Sequence, residues 1–282
     1  MRDVIKQKIA ELVPELQGRI FDVLPPEGQQ TPFAVIVLGE EIWKSGWAGY
    51  RQVVRVRLHG SANDAPLRDE QARRLIDGLH RIPVQVSTDD GASKVMFHYL
   101  GSREAESADS SSGTTVRALR FGIYIPESQG DAQAGAPADE WLAALAVWTK
   151  EQLKDSWAVY RDQWPADLGS RAILWRMTGY ETRLPGASMY EVRKSFTGHV
   201  IAPDTASEQG TVIQLAERLS AQIQLPLDAA QRRYLSAAEI RADLQADAIL
   251  EGQLRLTLAQ RHVRPFEEAA LIRRVEMQPK LK

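Results

Sequence analysis

The sequence predicts an α+β protein with two tandem copies of one domain, each a mostly antiparallel sheet backed by two helices. The order helix, strands, helix, strands occurs twice, with short connections and without the regular strand–helix alternation of a parallel sheet. Landmark residues also recur at a nearly constant offset: Tyr190 and Asp204 follow Tyr50 and Asp64 at the same separation, and other matched segments deviate from it only a little. Solenoid repeats span only about 20 to 50 residues. The longer period therefore indicates a duplicated domain.

The chain length and composition set the predicted domain boundaries. Its 282 residues suffice for two ordinary domains, each with its own core. We predict one copy at 1–126 and a second, diverged copy at 139–262. Residues 127–138 are rich in Pro, Gly, Gln and Ala without an apolar period, which is typical of a linker. Residues 263–282 match nothing in the first copy and are predicted to be a C-terminal extension.

In the first copy, apolar residues of the opening segment recur at helical spacing and predict an amphipathic helix. An unbroken apolar run at 34–38 indicates a strand buried on both faces, whereas Val54, Val56 and Leu58 alternate with polar residues and indicate one buried and one wet face. The predicted elements after the first helix are strands at 19–23, 34–38 and 50–59, a helix at 69–82, and strands near 95–100 and 115–125.

The second copy begins at Asp139, a suitable N-cap for a helix that carries Trp141, Leu145 and Trp148 on one face. Five of the seven tryptophans lie near this start. A core-facing stripe is the favoured interpretation, and anchors of a subunit interface are the alternative. The elements predicted after this helix are strands near 158–161, 171–182 and 190–201, a helix at 209–222, and a strand at 249–260.

Composition excludes several classes of function. The formal net charge of −2 argues against a nucleic-acid binder that relies on a basic surface, so no nucleic-acid sequence recognition is expected. The absence of cysteine excludes disulfides, thiolate zinc sites and a cysteine nucleophile. Charges interleave with the apolar residues of the N-terminus, which predicts neither a signal peptide nor a membrane span. The expected product is soluble and cytoplasmic where it is made.

No motif predicts catalysis, a cofactor or a metal. Segment 39–45 ends in the Lys-Ser of a phosphate loop but carries Trp43 where that loop needs glycine. The five histidines share no short spacing, so we expect solvated or singly hydrogen-bonded histidines rather than metal ligands. Asp89 and Asp90 precede Gly91 between strands and predict a hairpin turn rather than an acid–base pair. We therefore expect no catalytic, cofactor-binding or metal-binding residues and no enzyme activity.

Three segments are candidate partner contacts. The arginines of the 50–59 strand form either a solvated sheet face or a partner-contacting face. Segment 104–114, rich in Ser, Asp and Gly, predicts an exposed, mobile hairpin tip that a neighbouring chain or tube subunit would order. Segment 263–282 mixes apolar and basic residues, which favours an arm docked on an adjacent subunit over packing on its own domain. The candidate contact residues are Arg51, Arg55, Arg57, Glu106, Asp109, Ser111, Phe266, Arg273 and Arg274.

The first 125 residues carry an ordered set of motifs. After the amphipathic helix come Arg-Ile-Phe-Asp at 19–22, two prolines at 25–26, Pro-Phe-Ala-Val-Ile at 32–36, and then the 53–58 strand and the 69–82 helix. In this order and spacing the first copy resembles the tail terminator, or tail-completion, proteins of long-tailed bacteriophages. The second copy departs from the pattern, because Pro165 stands alone and Ser-Arg-Ala-Ile at 170–173 replaces the Pro-Phe opening.

The resemblance implies a structural virion protein that forms a ring, caps the finished tail tube, stops its polymerisation and joins tail to head. The implied partners are further copies of the chain, the tail tube protein and a head-completion or connector protein, with the sheath protein as a further candidate. The implied location is the tail or neck of a virion assembled in the host cytoplasm. Two alternatives remain: another neck or connector component, or a duplicated ferredoxin-like enzyme or binding protein for a small ligand.

Overall fold

A computed structural model describes residues 1–43, 50–88, 91–102, 107–109, 114–125, 139–165 and 168–265. The first copy contains α1 (Arg2–Leu12), β1 (Ile20–Asp22), β2 (Phe33–Trp43), β3 (Tyr50–Ser61), α2 (Ala65–Leu79), β4 (Pro83–Thr88), β5 (Gly91–Tyr99), β6 (Ser107–Asp109) and β7 (Thr114–Ile125). The second contains α3 (Glu140–Leu153), β8 (Ala158–Arg161), β9 (Ala172–Arg183), β10 (Met189–Ile201), α4 (Thr205–Ala221), β11 (Leu225–Asp228), β12 (Arg233–Ala242) and β13 (Leu254–Val263).

The two sheets have the same topology, which confirms the predicted α+β fold and its tandem copies. The first sheet runs β1-β2-β3-β7-β5-β4, with β6 paired to β7, and the second runs β8-β9-β10-β13-β12-β11. Among the described strands, β1 pairs with β2 and β8 with β9 in parallel, and every other strand pair is antiparallel. Each sheet is therefore mostly antiparallel with one parallel edge strand.

Each copy buries its own core between one sheet face and two helices. In the first core, α1 and α2 pack on residues such as Leu58, Phe97 and Phe121. In the second, Trp175 and Phe196 are fully buried beneath α3 and α4. Helices thus cover only one face of each sheet, and the opposite face, here called the outer face, must be covered by something else.

The predicted tryptophan stripe of α3 faces the second core, as expected for an apolar helix face. Trp141, Leu145 and Trp148 are all buried. Asp139 caps the helix, since its side chain accepts hydrogen bonds from the backbone N–H groups of Trp141 and Leu142 at 3.0 and 3.1 Å. It also pairs with Lys194 of β10, which ties the helix start to the sheet.

Four of the described strands were not predicted: β4, β6, β11 and β12. The strand β6 has only three residues and lies within the segment predicted to be a hairpin tip. Pro83 ends the predicted second helix but opens β4, and the helix itself spans Ala65–Leu79 rather than 69–82. Pro226 lies in β11, an edge strand, where the missing N–H is tolerated. In β12 only Leu235 is fully buried, so no apolar alternation marks the strand. The second helix of the second copy begins at Thr205, and the last strand spans Leu254–Val263 rather than 249–260.

Several predicted features fall wholly or partly outside the described residues. The whole predicted linker, 127–138, lies outside the described residues. Of the 104–114 segment, β6 forms a short hairpin with β7 of its own chain, and 104–106 and 110–113 are not described. Of the C-terminal extension, Val263 belongs to β13 and 266–282 is not described.

A pair of glycine substitutions tests the packing of the second core. A Cβ added to Gly198 would lie 2.6 Å from a ring carbon of Trp175 and 3.0 Å from the Cβ of Leu254. We expect Gly198→Ala to lower the free energy of unfolding by about 1 to 3 kcal/mol, because a packed core resists added volume. In Gly210→Ala, the control on the exposed side of α4, nothing lies within 4 Å. We expect it to raise stability by about 0.5 to 1 kcal/mol. Urea unfolding followed by tryptophan fluorescence measures both, and equal effects would contradict this packing.

Candidate functional site

The outer faces of the two sheets meet in an apolar cluster. Met96 of β5 and Tyr124 of β7 pack against Trp164, Leu168 and Ile249 of the second copy. All five are nearly inaccessible to solvent, with exposures of 2 to 4%. Because Met96 and Tyr124 alternate with residues that face the first core, they are the natural outward contacts of that sheet. The two copies therefore form one continuous apolar contact.

Polar groups close the edge of this contact. Arg81, just before β4, lies 2.7 Å from the Glu208 carboxylate near the start of α4, with side-chain exposures of 12% and 6%. The Tyr124 hydroxyl donates a 2.8 Å hydrogen bond to Asp247 in the β12–β13 connection. Glu208 also accepts a hydrogen bond from Gln253 at 3.1 Å. A buried ion pair of this kind is strongly geometry-dependent, and so it fixes how the two copies meet.

Burial dominates the ionisation of these groups. It raises the pKa of Glu208, and the opposing charge of Arg81 and the hydrogen bond from Gln253 only partly offset the effect. Burial likewise raises the pKa of Tyr124, and the nearby negative charge of Asp247 raises it further. Tyr124 is therefore a neutral donor at physiological pH, as its hydrogen bond to Asp247 requires.

Three histidines adjoin the contact. His80 and His98 meet edge to face at a ring-centroid distance of 4.8 Å, and His80 Nδ1 accepts a 3.0 Å hydrogen bond from the Tyr99 N–H. Burial, the charge of His98 and that of Arg81 lower the pKa of His80 to about 4. The sequence search missed this pair because it looked for short spacings, whereas the β4–β5 hairpin brings the two rings together.

His199 corrects the expectation of solvated or singly bonded histidines. It is fully buried on the outer face of β10, where Arg176 Nε donates to its Nε2 at 2.9 Å. Its Nδ1 is 3.0 Å from the carbonyl of Ala248, so this nitrogen carries the hydrogen and donates. Burial, and then the Arg176 charge, lower its pKa to about 3. The neutral ring thus holds the connection that carries Asp247 and Ile249 against the sheet.

Each copy also carries one open groove on its outer face. The first-copy groove, about 930 Å³, lies between the β1–β2 connection and the outer face, and its lining includes Val23, Leu24, Phe33, Arg57 and His59. The second-copy groove, about 700 Å³, lies over the outer face near the β12 and β13 ends, and its lining includes Glu191, Arg193, Tyr234, Ser236 and Arg261. Both are open clefts rather than enclosed cavities.

The predicted contact residues fall into two groups. Arg51, Arg55 and Arg57 are half-buried on the outer face of β3. Arg57 lines the first-copy groove, whereas Arg51 lies against Gly122 beside the copy–copy contact. The backbone of Asp109 lies in β6, and the remaining candidates are outside the described residues: Glu106, Ser111, Phe266, Arg273 and Arg274. A role for these side chains in partner binding stays a prediction.

Within the described part of the chain, no group of three or more His, Asp or Glu side chains is placed to hold a metal ion. The described helices include none that is both long and apolar enough to cross a bilayer.

No protein-family model matches the chain, and no curated protein matches it. A chain from a solved structure described as the virion of a native gene transfer agent particle aligns over 41% of this chain and 82% of its own. The identity is 16% and the TM-score is 0.30.

Breaking the ion pair between the copies should destabilise the protein in a pH-dependent way. We expect Arg81→Met to lower the free energy of unfolding by about 3 to 5 kcal/mol at pH 7, because it leaves the buried Glu208 carboxylate uncompensated. The pKa of Glu208 is raised in the folded state, so its carboxyl group is protonated and uncharged in both states at pH values below its unfolded-state pKa. The loss of stability caused by Arg81→Met should therefore be smaller there and grow as pH rises.

Two further variants make this measurement specific, each followed by urea unfolding at pH 4 and pH 7. Arg73→Met breaks the exposed Arg73–Asp77 pair and should change stability by less than about 1 kcal/mol. Adding Glu208→Gln to Arg81→Met should recover part of the loss, because it removes the buried charge. A pH-independent loss, or no recovery, would contradict the role of Glu208.

Acid should weaken the fold through its neutral histidines. A histidine with a depressed pKa stabilises the fold above its unfolded pKa, and this contribution is lost as pH falls. His199, with its pKa lowered from 6.5 to about 3, should lose about 2 kcal/mol of stability between pH 6.5 and pH 5, at 1.36 kcal/mol per pH unit. Thermal midpoints of the wild type and of His199→Gln across this range test the expectation. An equally steep pH dependence in the variant would refute it.

Proposed function

We propose that this protein is a structural virion protein of the tail terminator type, which caps the tail tube of a long-tailed phage, ends its polymerisation and joins tail to head. The observation that carries the proposal is that two copies of one domain meet through non-equivalent surfaces. The first copy contributes β5 and β7, whereas the second contributes the β8–β9 and β12–β13 connections. A contact between unlike surfaces of like domains can repeat around a closed ring.

The motifs behind the family resemblance support the proposal, because they form consecutive elements at one edge of the first sheet. Ile20–Asp22 of the Arg-Ile-Phe-Asp motif form β1, and Phe33 of the Pro-Phe pair opens β2. The two prolines at 25–26 line the first-copy groove in the β1–β2 connection. The proposed activity is assembly rather than catalysis, and the proposed partners are further copies of this chain, the tail tube protein and a head-completion or connector protein, with the sheath protein as a further candidate.

Deleting the gene from the phage or prophage that carries it tests this function. We expect tails of uncontrolled length that do not join heads, since nothing ends tube polymerisation, and a complementing copy should restore normal particles. Immunogold labelling of wild-type particles should mark the head-proximal end of the tail. Tails of normal length in the deletion strain, or label elsewhere in the neck, would point instead to another connector component. Particles without label would exclude a virion role.

A further inference from the structure

The two open grooves are the unmatched halves of the contact that joins the copies. Within the chain, a projecting surface of the first copy, here the donor face, is seated on a receiving surface of the second copy, the acceptor face. By duplication the second copy has a donor face and the first copy an acceptor face, and the copy–copy contact formed by the described residues uses neither. We propose that a second copy of this chain binds there, head to tail, donor face on acceptor face. The inference rests on the ring assembly proposed above and assigns its surfaces.

The strand registers identify the free donor face. His98 pairs with Gly122, and Met96 with Tyr124, in the first sheet. In the second, Ser236 pairs with Ala259, and these residues take the places of Met96 and Tyr124. Arg51 pairs with Tyr124 as Arg193 pairs with Ala259, which agrees with this correspondence. Second-copy residues at or beside these places line the second-copy groove: Arg193, Tyr234, Ser236, Ala259 and Arg261.

The same comparison identifies the free acceptor face. Val35 corresponds to Leu174, because Asp22 pairs with Ile36 as Arg161 pairs with Trp175. The outer face under the first-copy groove, which Val35 lines, therefore corresponds to the one that Leu174 contributes to the copy–copy cluster. The connections above the two faces also match. Val23 and Asp162 follow the first strand of each copy with φ angles of 65° and 64°.

The next turn of each connection is the same as well. The N–H of Leu24 bonds to the carbonyl of Asp22, and the N–H of Gln163 bonds to that of Arg161. Pro25 therefore takes the place of Trp164, the residue that meets the donor face inside the chain. The β1–β2 connection is thus the counterpart of the connection that receives the donor face within the chain.

The free faces expose apolar side chains that an association would cover. Leu24 is 77% exposed and Val23 54% exposed on the acceptor side. On the donor side, Val263 is 68% exposed and Tyr234 37% exposed, and both line the second-copy groove. The contact between chains would therefore cover apolar side chains of both faces.

The contact between chains would lack the ion pair that joins the copies. Glu208 is the fourth residue after the N-cap of α4, and the fourth residue after the N-cap of α2 is Arg68. Arg68 is buried, and it donates a 2.6 Å hydrogen bond to the carbonyl of Ser61. The first-copy position that matches Glu208 therefore carries no carboxylate to receive an arginine.

Paired arginine substitutions test the proposal by sedimentation velocity over a concentration series. Leu24→Arg places a cation opposite the basic donor face, and Tyr234→Arg places one on the donor face itself, so each should weaken self-association of the purified full-length chain at least tenfold. Val147→Arg, at a 60% exposed apolar residue of α3 away from both faces, should leave it unchanged. A 1:1 mixture of the two face variants should form a dimer and nothing larger, because each supplies the face that the other lacks.

Cross-linking captures an association too weak to sediment. The chain contains no cysteine, so a variant with both Leu24→Cys and Tyr234→Cys reacts with a short bismaleimide only at those positions. We expect a ladder of dimers and larger species, and only background dimer from the pair Leu184→Cys and Tyr234→Cys. No ladder above that background, or equal sedimentation of all arginine variants, would overturn the proposal. If the chain self-associates through these faces but deletion of its gene leaves tails of normal length, the tail terminator role is refuted and the assignment of the faces stands.

Discussion

Each sheet of this protein has helices on one face only, and the apolar outer face must be shielded from water in another way. The contact between the copies meets that requirement for β5 and β7 of the first sheet and for β9 and β10 of the second, through a cluster that includes Met96, Tyr124 and Leu174. Burying such surface contributes about 25 cal/mol per Å². The ion pair between Arg81 and Glu208 then selects one orientation of this otherwise non-directional contact.

The contact between the copies is asymmetric, although the two domains have the same fold. A two-fold contact between the copies would use the same patch on both and would leave no free counterpart. Here the first copy uses its β5 and β7 strands and the second uses its connections, with Trp164 and Ile249 as receiving residues. Each copy therefore keeps one surface whose complement exists elsewhere on the same chain. A single fused chain then has the two unlike ends needed for head-to-tail assembly.

Divergence between the copies is concentrated where they touch. The β1–β2 connection carries Pro25 and Pro26 beside an open groove, whereas the matching connection buries Trp164 against the neighbouring copy. Glu208 forms an ion pair with Arg81, whereas the position that matches Glu208 in α2 holds the buried Arg68. The shared fold is preserved by the two cores, which do not depend on these residues. Contacts within the chain and contacts with partners can therefore differ without any change in topology.

Local patterns in the sequence were sufficient for the parts of this fold that depend on neighbouring residues. The α3 stripe of Trp141, Leu145 and Trp148 was predicted correctly because helical spacing alone places these residues on one side. The duplication was also predictable, because equivalent residues such as Tyr50 and Tyr190 keep their spacing when insertions are few. The short edge strands β4 and β11 were missed, since each begins at or near a proline and carries few apolar residues.

The candidate surfaces were only partly predictable. The alternation in β3 placed Arg51, Arg55 and Arg57 on one face, but it did not distinguish a groove from a contact between copies. That distinction depends on residues such as Asp247 and Trp164, which are far from β3 in the sequence and reach it only through the packing of two sheets. By itself, the sequence determined the repeated fold and its two cores, because both follow from local periodicity. Only the tertiary structure decided which outer surfaces meet and which stay open, because side chains distant in sequence compete for the same apolar face.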